Sequence, residues 1–254
     1  RSKVLEGVKV YENIATVDVA LRDAANVDAD AFIGNTAAVT ARLNGAGGVA
    51  LMSGIEIRSA GDMTVTADWN LAGLSGHEGG LTLRAAGNLT VLGHISDGFS
   101  SADRSGALLD QASWDIRLVS GADFGSANPL AVRPIAALAA GSGSLIVGDT
   151  ANGYQVRTGT GDLSIAVGRD LTLAQHESVI YTAGRMDTTT FPDFVQLASQ
   201  TPVYGVGGGN LSIAAQGTVK AVIPYGQGQL FTSWLKRQGD AGATGEFIRA
   251  MQEM

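Results

Sequence analysis

The chain has no cysteine. That excludes a disulfide framework, a thiolate metal site and a cysteine nucleophile. His77, His94 and His176 are its only histidines, too few and too scattered for a histidine-rich metal centre. Charged residues make up 16% of the 254 positions and aromatics 6%; a typical soluble domain is about a quarter charged. The net charge is −7 with only four lysines, which argues against a nucleic-acid partner. No apolar run approaches the ~20 residues of a membrane-spanning helix, and no basic-then-apolar signal segment opens the chain. The glycine-rich stretches Gly159–Asp162 and Gly205–Gly209 lack the trailing Lys-Ser/Thr of a phosphate loop, and the glycine-aspartate nonapeptide of calcium-binding rolls does not recur. No cofactor and no metal is therefore expected.

What is abundant is glycine, 35 residues, roughly twice average usage. The glycines are scattered rather than set in triplets, which excludes collagen. Hydrophobic residues reach 45%, enough to fill a sizeable core in one large domain or two small ones.

The main signal is an internal repeat. IEIRSAGDMTV at Ile55–Val65 is echoed by LTLRAAGNLTV at Leu81–Val91, by LSIAVGRDLTL at Leu163–Leu173 and by LSIAAQGTVKA at Leu211–Ala221. A looser copy begins IRLVSGADF at Ile116. Apolar-polar-apolar alternation marks a short strand with one buried face. The Gly and Asn/Asp that follow tolerate positive φ and turn the chain, and a second short strand resumes. Asp62, Asn88 and Asp170 at these corners are expected to bond their own backbone. Helical periodicity is almost absent before residue 230, which disfavours doubly wound α/β folds.

Two all-β architectures fit: a sandwich or barrel of hairpins, or a parallel β-helix whose circuits stack. Similar corners in every copy favour the β-helix. So do the scarcity of aromatics and of Asn-Gly or Asp-Gly hairpin turns, and the recurrence of outward Thr64, Thr82, Thr90, Ser164, Thr172 and Ser212. The copies lie 26, 35, 47 and 48 residues apart, read as one or two circuits of about 20 residues with loops inserted between. The insertions are placed at Ala67–Glu78, Ser100–Ala112, Ala127–Gly143 and Met186–Gly208. Residues 1–229 are thus expected to form a right-handed parallel β-helix shaft segment. Residues 230–254, with helical spacing at Leu230–Arg237 and Glu246–Met254, would be a short helical extension or truncated insertion. Both ends of the stack are expected to expose uncapped strand edges.

Several strings in order resemble the shaft of filamentous haemagglutinin-like exoproteins of Gram-negative two-partner secretion. They are AAGNLTV at Ala85–Val91, SWDIRLVSGAD at Ser113–Asp123, GRDLTL at Gly168–Leu173 and GNLSIAAQG at Gly209–Gly217. The resemblance spans roughly residues 45 to 240. It implies a secreted, surface-attached fibre exported through an outer-membrane transporter. That transporter would be engaged by a region not contained here. The fibre would attach to a receptor or glycan on a host or neighbouring cell, or present a distal domain. On this reading the chain is not an enzyme.

A second reading is a carbohydrate-active β-helix enzyme. Asp115 and Arg117 flank Ile116, and alternation sets them side by side on the outer face, about 7 Å apart along the strand. Asp97, Asp103 and Arg104 in the neighbouring insertion are candidates to join them, with His94 nearby. Paired carboxylates in a groove would supply acid-base work on a glycan. Against this stands the plainer reading of a surface ion pair beside a solvated loop. Trp114 shares the apolar parity of its strand and belongs to the core, whereas Trp69 is the tryptophan expected at the surface.

Overall fold

A computed structural model describes residues 3–43, 49–74, 78–187 and 204–222. The fold is mostly β, with parallel pairing throughout its three larger sheets and two α-helices among the described residues. The chain visits the three sheets in rotation. β1 (Lys3–Tyr11) and β2 (Thr16–Val17) begin the first and second sheets. Two helices, α1 (Val19–Gly34) and α2 (Thr36–Arg42), follow where a strand of the third sheet would come. The next passes are complete: β3 (Val49–Ser59), β4 (Met63–Val65) and β5 (Trp69–Asn70), then β6 (Gly79–Ala85), β7 (Leu89–Val91) and β8 (Ile95–Ser96). After these come β9 (Asp115–Ser120), β10 (Leu145–Val147) and β11 (Gln155–Thr158), then β12 (Leu163–Val167), β13 (Leu171–Leu173) and β14 (Val179–Thr182). The antiparallel pair β15 (Arg185–Asp187) and β16 (Tyr204–Val206) interrupts the rotation before β17 (Leu211–Ala215) and β18 (Val219–Ala221).

Register follows the repeat. Ile55 pairs with Leu81, Leu81 with Ile116, Ile116 with Leu163 and Leu163 with Leu211. In the second sheet Met63, Leu89, Leu145, Leu171 and Val219 align in the same way. A slip of one residue would turn each buried face outward, so the apolar alternation fixes this alignment. Each spacing between copies is one pass through the sheets; loop adds length at residues 97–114 before β9 and 121–144 between β9 and β10, and the β15–β16 pair lies in the longer spacing before β17. The expected insertion at Ala67–Glu78 is in part sheet, because it contains β5.

The inward side chains form one apolar cluster that includes Val17, Ile57, Met63, Leu83, Leu89, Ile95, Ile116, Leu145, Val156 and Leu163. Burying each such side chain contributes about 1.5–3 kcal/mol. Trp114 is buried as expected. Trp69 is a correction: it is fully buried at an inward position of β5, and its Nε1–H donates to Asn26 Oδ1 of α1 at 2.9 Å. The outward hydroxyl ladders are real but broken. Thr16, Thr64 and Thr90 stack before Ile146 intervenes ahead of Thr172, and Arg117 separates Thr82 from Ser164 and Ser212.

The helices depart from the expectation of little helix before residue 230. Asp18 caps α1 by accepting the N–H of Leu21 at 2.9 Å. Leu21, Ala25 and Ala29, spaced one turn apart, pack on the core cluster. Phe32 lies against Gly7 of β1, and Tyr11 donates its hydroxyl to Asp28. The N-terminal end of the core is therefore covered by α1 rather than open, although β1 remains an edge strand of its sheet. At the other end Leu211, Ile213 and Val219 are exposed. The expected helices over 230–254 lie outside the described residues.

Candidate functional site

The corners explain many of the polar residues that the repeat brings together. Asp62 Oδ1 accepts the N–H of Asn88 at 2.7 Å, and Asn88 Oδ1 accepts that of Ser144 at 2.9 Å. Asp170 Oδ1 does the same for Thr218 at 2.7 Å. The expectation that these residues bond their own backbone is thus corrected: the partner is the equivalent amide one pass later. Stacking places that amide about 4.8 Å away along the sheet, within reach of a short acidic or amide side chain. Gly87 is required beside this bond, because a Cβ there would collide with Asp62 Oδ1 and the backbone at Gly61–Asp62. The third sheet has its own version. Asp68 Oδ1 accepts the N–H of His94 at 2.7 Å, and His94 Nδ1 accepts that of Gln155 at 3.2 Å.

Asp115 belongs to the corner leading into the first sheet. Its Oδ1 accepts the N–H of Asp162 at 2.8 Å, and Asp162 in turn accepts that of Asn210 at 2.7 Å. Its other oxygen lies 3.5 Å from Arg117 Nη2. The structure therefore does bring Asp115 and Arg117 together. It adds an acid that sequence spacing missed: Glu6 of β1 reaches Arg117 Nη1 at 3.1 Å, across two intervening strands. Gly54 and Gly80 open the lane, since a Cβ at either would sit 2.8 or 2.5 Å from Glu6 Oε1. Glycine within the strands at paired positions 54 and 80 was the only sequence signal for this crossing. Burial raises the Asp115 carboxyl above the ordinary carboxylate value, as do Asp162 and Glu6. The Asp162 amide and Arg117 oppose the shift.

Asp97 and Arg104 are directed elsewhere. Asp97 is 1% exposed. One of its oxygens accepts the N–H of Gly98 at 2.5 Å and the other that of Trp114. Burial pushes its pKa up to about 6 against the pull of those two amides. Arg104 pairs with Glu177 at 2.6 Å and donates to the Gly153 carbonyl at 2.9 Å. Asp103 is exposed, and its Oδ1 accepts from Ser101 Oγ, Ser105 N and Ser105 Oγ, which hold it well ionised. Burial holds His94 below its ordinary pKa, and its ring meets Tyr154 edge-on at 5.3 Å. Among the described residues no hydrogen bond or ion pair joins Asp97 or Arg104 to the Asp115–Arg117–Glu6 cluster.

The insertion bearing these residues is anchored by Arg157, another residue that the spacing did not reveal. Its guanidinium is buried. It donates to Ser96 Oγ at 2.9 Å, to Tyr181 Oη at 3.0 Å and to the carbonyls of Ser101 and Asp103 at 2.9 and 2.5 Å. The ring of Phe99 stacks on it with 3.7 Å between Cζ and centroid. Arginines fasten the other insertion too. Arg84 pairs with Glu56 at 3.0 Å and donates to the Asp123 carbonyl, while Arg133 donates to that of Ala86. The described residues contain no group of three or more His, Asp or Glu side chains arranged to hold a metal ion. No helix among them is long and apolar enough to cross a membrane. Comparison with protein-family models, with curated proteins and with solved structures gave no match to this chain.

Proposed function

We propose that the chain is a segment of a right-handed parallel β-helix, serving as the structural and adhesive shaft of a large secreted surface protein similar to filamentous haemagglutinin-like exoproteins. The observation that carries the reading is the stacking of successive passes in unshifted register through three parallel sheets. Parallel crossovers are right-handed in about 98% of cases. Each pass lengthens the stack by about 4.8 Å and pairs its main chain only with its neighbours, the energetic pattern of a rod. The outer-membrane transporter would be engaged by a region outside this chain. The surface-borne fibre would hold a receptor or glycan on a neighbouring cell.

The enzymatic alternative draws on Asp115, whose raised carboxyl stands near a second acid. The geometry weighs against it as an acid-base pair. Asp115 is committed to the Asp162 amide, and Arg117 bridges it to Glu6, the arrangement of a clamp between strands. Labelling intact source cells with antibody raised against this chain tests the shaft reading. Surface labelling that is lost when the source cell's outer-membrane two-partner transporters are deleted is the expected result. Labelling only after lysis would overturn it.

A further inference from the structure

A cleft of about 340 Å³ lies where α1, the start of β5 and the 97–114 insertion meet, lined in part by Asn26, Asp68 and Asp103. It is formed where α1 and the insertion, which do not repeat, meet the third sheet, and none of the Glu6, Asp115 and Arg117 side chains lines it. Its volume is that of a small-ligand site.

The lining is held from behind. Asn26 Oδ1 is fixed by the buried Trp69 N–H and Asp68 Oδ1 by the His94 amide. Asp103 Oδ1 is fixed by three donors, and the backbone of its loop is tied to buried Arg157. Arg22 grips Asp23 Oδ1 at 2.8 Å and the Asp68 carbonyl at 2.6 Å. Each group is thereby oriented with capacity to spare. The amide Nδ2 of Asn26 and the second oxygens of Asp23, Asp68 and Asp103 have no partner among the described residues.

This chemistry selects a ligand class. Several fixed carboxylate oxygens are pure acceptors and want hydroxyl donors, while Asn26 Nδ2 supplies a donor. Three carboxylates against one guanidinium repel carboxylated, sulfated or phosphorylated ligands. We infer that this cleft binds an uncharged sugar unit, read through its hydroxyls. The site would give the proposed fibre its place to hold a glycan and rests on that reading for its purpose, while the cleft itself is argued apart from the sheets that carry the shaft proposal.

The test is ligand-observed NMR on the 254-residue chain with chelator present. The probes are the methyl glycosides of neutral hexoses and N-acetylhexosamines, with a sialylated trisaccharide for comparison. At least one neutral glycoside should saturate with Kd near or below about 1 mM, and the sialylated probe should bind far more weakly. Asn26→Asp keeps the acceptor for Trp69 and removes the Nδ2 donor. It should weaken binding about tenfold or more while tryptophan fluorescence stays unchanged. Asp23→Asn, at an exposed carboxylate, is the second variant and should weaken binding should the first disturb the fold. Arg117→Met, outside the cleft, should leave binding intact. The inference is overturned when no neutral glycoside binds, when both cleft variants bind like the parent, or when calcium alone gives the response and glycosides none.

Discussion

Leu83 and Arg157 are both almost wholly buried, yet they hold different things in place. Leu83 sits in the first sheet between Ile57 and Leu118, in a column of inward apolar residues with the same neighbours on either side. Its contribution is packing, and any apolar residue of similar volume would supply most of it. Arg157 sits where the third sheet meets an insertion that has no counterpart in other passes. Its contribution is directional: a hydroxyl, a phenol, carbonyls and an aromatic face, each in one place. Repetition makes hydrophobic stacking sufficient for the sheets. The insertions, which occur once each, are fastened by specific polar bonds.

Truncating the column should have the largest effect. Leu83→Ala is expected to cost about 3–5 kcal/mol, read as a lowered denaturation midpoint for the whole stack. A loss below about 1 kcal/mol would mean that the column repacks freely. Arg157→Met should cost less, about 2–4 kcal/mol, because the freed carbonyls reach water once the insertion loosens. Its signature is local. Limited proteolysis should cut within residues 98–112 well before the sheets unfold, whereas Leu83→Ala should expose no such preferred site. Uniform digestion of the Arg157 variant would erase the distinction between the two regions.

The same division decided what the sequence disclosed. The repeat at Ile55, Leu81, Leu163 and Leu211, with its looser copy at Ile116, anticipated the register of the first sheet because burial imposes period-two alternation directly. The third sheet is nearly silent, since β5 and β8 are two residues long and offer no alternation to read; nothing in the spacing marks Trp69 as buried. Helix α1 was missed because its buried face is built from Ala25 and Ala29, strong helix formers that carry little apolar contrast. Asp115 with Arg117 was legible as a pair two apart on one strand face. Glu6 was not, because 111 residues separate it from Arg117 and only the glycine lane hinted at contact. The corner acids were recognised as turn residues, but one repeat viewed alone shows no next pass for them to bond.

Acidity offers a further separation. Burial pushes the Asp97 carboxyl up to about 6 in the folded chain, from an ordinary 3.8. Because its folded pKa is raised, its stabilising contribution is complete below about pH 4 and is lost as pH rises through 6. The difference corresponds to about 2–3 kcal/mol. Other acids shift the opposite way, so total stability against pH is not the measurement. The cost of Asp97→Ala is: it should be about 2 kcal/mol greater near pH 4 than near pH 7.5. A cost independent of pH would show that the buried carboxylate is not the titrating group. The same comparison at Leu83→Ala should be flat, since packing carries no proton.

The smallest effect belongs to the clamp on the outer face. Glu6 and Arg117 join the edge strand β1 to β9 across β3 and β6, but both side chains are about one-quarter exposed. Partly exposed pairs of this kind contribute about 0.5–1 kcal/mol and weaken with salt. A double-mutant cycle with Glu6→Gln and Arg117→Met should return a coupling in that range, reduced in molar salt. Asp115 complicates Arg117, because removing the guanidinium frees both acids. The cycle isolates the Glu6 share by comparing Glu6→Gln in the presence and absence of Arg117. Zero coupling would leave Arg117 bound to Asp115 alone and make the glycines at 54 and 80 a feature without consequence. A positive coupling would mean that the lane has a mechanical purpose: it lets the strand at one edge grip the third strand inward, where main-chain pairing alone reaches only the next.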